Sequence, residues 1–131
     1  MSGWTRFWEA IELGRKDPNA LEQRISEMSE QELVDFYWTY EEAAADLKAD
    51  EFVAQLSDPR TEDWVDDLTQ WIVAQGLDYY ESIMEDPSKM PKDLPDGDDP
   101  PPWTGLAIRE YRKRYGRVIR DRDEPPPNDA S

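Results

Sequence analysis

Apolar residues recur at every third or fourth position along most of this chain, the period of one buried helix face. Trp4, Phe7, Trp8 and Ile11 predict a first helix over 4–14, which Gly14 can terminate. Asp17-Pro18 reads as an N-cap followed by proline in the first turn, with Leu21, Ile25 and Met28 as the stripe behind it. Ser29 and Glu32 stand at capping-box spacing. After them come Leu33, Phe36, Tyr37, Tyr40, Ala44 and Leu47, the clearest helical ladder of the chain. Phe52, Val53 and Leu56 continue it after a break near Ala49-Asp50, and Ser57-Asp58-Pro59 signals a loop.

Thr61, Glu62 and Asp63 suit a helix start, and Trp64, Leu68, Trp71 and Ile72 supply its apolar face. Tyr79, Tyr80, Ile83 and Met84 carry the period on to 84, so Gly76 in mid-pattern marks a helix break or a close approach. Asp86-Pro87 closes the element. Periodicity is then lost in a Pro/Asp-rich stretch, 88–103; residues 87–102 hold six of the eleven prolines. It returns over 104–120 with Leu106, Ile108, Tyr111, Tyr115, Val118 and Ile119. The expected organisation is a helical domain at 1–87, a linker at 88–103, a basic C-terminal helix at 104–120 packed on the domain, and a disordered tail at 121–131. The fold class is all-α, with five to six helices and no strand-like alternation.

Composition narrows the chemistry. The 131 residues include no His and no Cys, which removes the commonest general base, the commonest metal ligand and the thiol nucleophile. Six Trp, six Tyr and three Phe compensate for a low apolar content of 37%. The net charge is −16 and is unevenly spread. Residues 1–108 hold 26 acidic and 8 basic side chains, and residues 109–131 hold 5 and 7. Such a body repels nucleic acid and anionic membranes and attracts a basic protein. With no signal-like or membrane-spanning segment in the pattern, the expected location is the cytoplasm.

Catalytic constellations are absent. Glu41-Glu42, Asp66-Asp67 and Asp98-Asp99 are sequence neighbours that point about 100° apart on a helix, so they do not form the facing carboxyl pair of a glycosidase. Asp96-Gly97-Asp98-Asp99 lacks the ligand spacing of a calcium loop. A di-iron bundle requires His, and Gly105 and Gly116 stand isolated rather than in a phosphate loop. No cofactor, metal or enzymatic activity is expected. Arg109, Arg112, Lys113, Arg114, Arg117, Arg120 and Arg122 could contact phosphate, but the acidic body favours docking of this segment on the protein itself.

Trp71-Ile72-Val73-Ala74-Gln75-Gly76, followed by Tyr79-Tyr80-Glu81 and Asp86-Pro87, resembles a bacterial, actinomycete-type family catalogued as domain of unknown function 4240. Phe7-Trp8 and Leu33 to Phe36 match it more weakly. The family pattern has Arg where this chain has Thr69 and Leu77, and small residues where it has Ser57-Asp58-Pro59. The resemblance implies an all-helical fold and leaves the activity open. The residues themselves favour a small acidic binding module, an immunity, inhibitor or regulatory protein, monomeric or weakly dimeric. Asp63, Asp67, Trp71, Gln75 and Tyr79 are the candidate partner-binding residues, since surface Trp and Tyr anchor interfaces. The alternative is a small-molecule or peptide binder with a pocket between the helix at Tyr37–Tyr40 and the one at Trp71.

Overall fold

Each apolar stripe of the sequence becomes a helix in the computed structural model of the chain, which describes residues 3–56, 62–92 and 101–126. Among the described residues seven α-helices follow in order: α1 (Gly3–Lys16), α2 (Pro18–Glu27), α3 (Glu30–Asp46), α4 (Asp50–Val53), α5 (Glu62–Ala74), α6 (Leu77–Glu85) and α7 (Trp103–Tyr115), with a 3-10 turn at Pro87–Lys89. Among the described residues there is no strand, and the fold is all-α. The helices exceed the expected five to six because the long pattern over 64–84 splits at Gly76, and α4 forms a separate short turn. No described helix is long and apolar enough to cross a membrane.

The helix starts follow from local chemistry. The Asp17 side chain accepts from the Asn19 backbone N–H at 3.1 Å, with Pro18 in the first turn. Ser29 and Glu32 form the reciprocal capping box: the Ser29 N–H donates to Glu32 Oε1 at 2.8 Å, and the Glu32 N–H to Ser29 Oγ at 3.1 Å. Each pair satisfies donors that a helix leaves without intrahelical partners.

Contacts divide the chain into two compact units: Met1–Tyr40 with Pro102–Ser131, and Glu41–Pro101. In the first unit α2 packs on both α1 and α7. Its core contains Phe7, Ile11, Leu21, Ile25, Leu33, Tyr40, Trp103 and Tyr111. Phe7 centres an aromatic cluster, 4.9 Å from Trp8, 5.6 Å from Phe36 and 5.7 Å from Tyr40. Gly14 lies inside α1 and does not end it. A Cβ there would stand 2.6 Å from Leu21 Cδ2 and 2.7 Å from Trp103 Cζ2, so this glycine lets the core close over the helix.

In the second unit Phe52, Leu68, Ile72, Val73, Tyr80, Ile83 and Met90 are buried. The Tyr80 hydroxyl donates to the Ala43 carbonyl at 3.1 Å, and Lys48 pairs with Asp66. Gly76 separates α5 from α6 at φ 104° and ψ 169°, a conformation essentially reserved for glycine.

The C-terminal helix ends earlier than the apolar period suggests. Gly116, at φ 69°, takes the left-handed cap, and its N–H returns to the Arg112 carbonyl at 2.8 Å. Val118, expected on the packed face, is 62% exposed, whereas Tyr111 is fully buried. Residues 117–126 run on without helix. Residues 93–100 of the expected linker, residues 127–131 of the expected tail, the Ser57-Asp58-Pro59 loop and Thr61 lie outside the described residues.

Candidate functional site

Asp63, Asp67 and Trp71 follow one another at intervals of four on α5. Each step rises about 6 Å and turns about 40°, so the three share one slowly winding stripe. Asp63 and Asp67 are exposed, and Trp71 is half-buried. Gln75 follows the last helical residue and donates from Nε2 to the Trp71 carbonyl at 3.2 Å, which caps the end of α5. Beyond the Gly76 turn, α6 returns the half-buried Tyr79 to Trp71. Their ring centroids are 6.1 Å apart and their planes nearly perpendicular at 88°, a favourable edge-to-face pair. Burial raises the Tyr79 phenol above its ordinary range, so it stays a neutral donor.

The structure therefore joins Trp71, Gln75 and Tyr79 directly and lays Asp63 and Asp67 along the same helix face. The stripe can offer carboxylates and aromatic surface to a cation. Thr69, where the family pattern has Arg, is fully buried and donates its hydroxyl to the Asp66 carbonyl at 3.1 Å. Among the described residues no cluster of carboxylates has the geometry of a metal site.

Sequence reasoning missed a buried ionic cluster in the first unit. Arg120, only 6% exposed, donates from Nε to Glu30 Oε2 at 2.8 Å and from Nη2 to Glu30 Oε1 at 3.0 Å. Nη2 also reaches Gln31 Oε1 at 2.9 Å. Nη1 donates to the carbonyls of Asp121, Arg122 and Glu124 at 3.2, 3.2 and 2.7 Å. The Tyr111 hydroxyl adds a 2.6 Å bond to Glu30 Oε2, and Trp38 Nε1 donates to the Arg120 carbonyl at 2.8 Å. The Arg120 bonds hold the Glu30 carboxyl below its usual range. Burial, followed by the bond to Glu30, pushes Tyr111 up to about 12. Arg114 is likewise engaged, with Glu110 at 2.7 Å and the carbonyls of Met28 and Ser26 at 2.5 and 2.8 Å. This constellation is saturated by its own chain and works as a structural clasp. A run of arginines in sequence carries no signal of which one will be buried.

A cleft of about 460 Å³ lies among α1, α2 and α3 of the first unit. Its walls include Arg6, Phe7, Arg24, Glu27, Met28, Glu32, Asp35 and Phe36, none of which the sequence pattern marks as a site.

Residues 4–111 match the model of the family described as "Protein of unknown function (DUF4240)". The chain belongs to the DUF4240 family. The match takes in α1 through most of α7, including the Trp71–Gly76 segment that carries the resemblance. No curated protein and no solved structure matches this DUF4240 member.

Proposed function

We propose that this DUF4240 protein is a non-catalytic binding module that captures a basic segment of a partner protein on the α5–α6 face. The observation that carries the reading is the pairing of Trp71 with Tyr79 at the end of a stripe that begins with the exposed carboxylates Asp63 and Asp67. A lysine or arginine laid along it meets carboxylate first and aromatic surface next, a combination suited to cation recognition. The net charge of −16 supplies long-range attraction for a basic protein and repels nucleic acid. An immunity, inhibitor or regulatory role in the bacterial cytoplasm, as a monomer or weak homodimer, fits this chemistry.

Affinity capture from a lysate of the source bacterium at low and high salt tests the reading, with Asp63→Asn/Asp67→Asn and Trp71→Ala as comparison baits. A basic protein retained at low salt, released at high salt and lost from both variants is the expected result. Retention that ignores salt and both variants would refute it.

A further inference from the structure

The cleft among α1, α2 and α3 has a floor of apolar side chains and a rim of opposed charges. Phe7, Ala10 and Phe36 are buried at its base, and Met28 is half-buried beside them. Arg6 enters from α1 and Arg24 from α2, and both are exposed. Both guanidiniums act on Glu32, whose carboxyl lies below its usual range chiefly through its bond from the Ser29 N–H, with the two arginines adding to the effect. The Ser29 N–H takes Glu32 Oε1, and the exposed guanidiniums act on this carboxylate through charge, each with several N–H donors to offer a further anion. Two more carboxylates face the cleft. Glu27 accepts from Gln23 Nε2 at 2.8 Å, and Asp35 accepts from Gln31 Nε2 at 3.0 Å. Both donors are neutral amides, so neither carboxylate is paired with a cation through these bonds.

The mixture selects a ligand by elimination. A hydrocarbon would cover the floor and leave the rim charges without a partner on the ligand. A simple anion would meet three carboxylates, and a simple cation two guanidiniums. We propose that this cleft binds a small zwitterion with an apolar side chain, of dipeptide chemistry, its carboxylate on Arg6 and Arg24, its ammonium on Glu27 and Asp35, and its side chain on Phe7, Met28 and Phe36. The volume falls in the range of about 300–1,000 Å³ usual for small-ligand sites. These residues are distinct from the α5–α6 face, so the two proposals stand or fall separately.

The test is titration of the 15N-labelled full chain with the dipeptide Leu-Phe to about 10 mM, followed by amide chemical shifts. The N-acetylated dipeptide, its C-terminal amide and Gly-Gly serve as comparisons. Leu-Phe is expected to shift the amides of Phe7, Ala10, Arg24 and Phe36. Each of the three comparison compounds is expected to bind at least about tenfold more weakly. In Arg6→Gln/Arg24→Gln the penalty for amidating the carboxylate should vanish. In Glu27→Gln/Asp35→Asn the penalty for acetylating the amine should vanish. Backbone resonances away from the cleft report whether each variant keeps the wild-type fold. The proposal is overturned by absent shifts in the cleft, by equal binding of Leu-Phe and either blocked form, by equal binding of Gly-Gly, or by penalties that survive the paired substitutions.

Discussion

Two residues show how little of a side chain's role need be visible in its type. Gly14 reads as a helix terminator, yet it sits within α1 where a methyl group would overlap Leu21 and Trp103. Leu21 is fully buried and Trp103 nearly so, so neither has room to withdraw. Gly14→Ala is therefore expected to lower stability by about 1–3 kcal/mol, read as a reduced denaturant midpoint, despite the better helix propensity of alanine. Arg120 reads as one more surface cation and is instead the centre of the Glu30 clasp. Arg120→Met leaves the Glu30 carboxylate without its cation and is expected to cost roughly 3–5 kcal/mol in chemical denaturation. The clasp also shapes the pH profile. Glu30 titrates below its ordinary range when folded, so its contribution is complete above the ordinary glutamate value and disappears as pH falls through the lowered one. Tyr111 is raised, so its contribution is complete below about pH 10 and disappears as pH rises through about 12. Melting temperatures should fall on both limbs, and Tyr111→Phe should flatten the alkaline one.

Among the elements, the helices were legible because each buries one face and the 3.6-residue period records it. The two best-marked starts, at Asp17 and Ser29, were legible because capping needs particular oxygens at particular spacings. Helix ends were less so. Val118 and Ile119 prolong the apolar period past Gly116, but the left-handed glycine turns the backbone and leaves Val118 outside. Gly76 likewise interrupts a period that resumes in register, so the pattern alone could not choose between a break and a close approach. The α5–α6 turn has an energetic consequence as well. It places Trp71 half-buried against Tyr79, whereas Leu68, one turn earlier, is fully buried. Leu68→Ala should cost about 2–5 kcal/mol and Trp71→Ala less, although tryptophan is the larger residue. Denaturation of the two variants side by side checks the order. Of the candidate site, the helix positions were legible and the Trp71–Tyr79 pairing was not, because that pairing depends on the direction in which Gly76 turns the chain.

On the scale of the whole molecule, the first unit is discontinuous, since residues from both sides of the Glu41–Pro101 unit build it. Cutting the chain at residue 101 removes Trp103, Ala107 and Tyr111 from that core and uncovers the side of α2 that packs on α7. Each large side chain lost contributes roughly 1.5–3 kcal/mol. The expected outcome is loss of amide dispersion and of cooperative melting for Met1–Tyr40, partly recovered by salt, because the cut also discards the basic segment that offsets the acidic body. Comparison of the full and shortened chains at two ionic strengths checks it. The same discontinuity orders events during translation. Glu30 and Arg120 are separated by 90 positions, so the carboxylate leaves the ribosome long before its cation exists, while everything needed for the Glu41–Pro101 unit is synthesised in between. Contacts so distant in sequence close slowly, and the nascent chain must carry an α1–α2 pair without α7 until they do. The interval before Arg120 emerges is thus the period when this protein is most exposed to proteases and most in need of a chaperone.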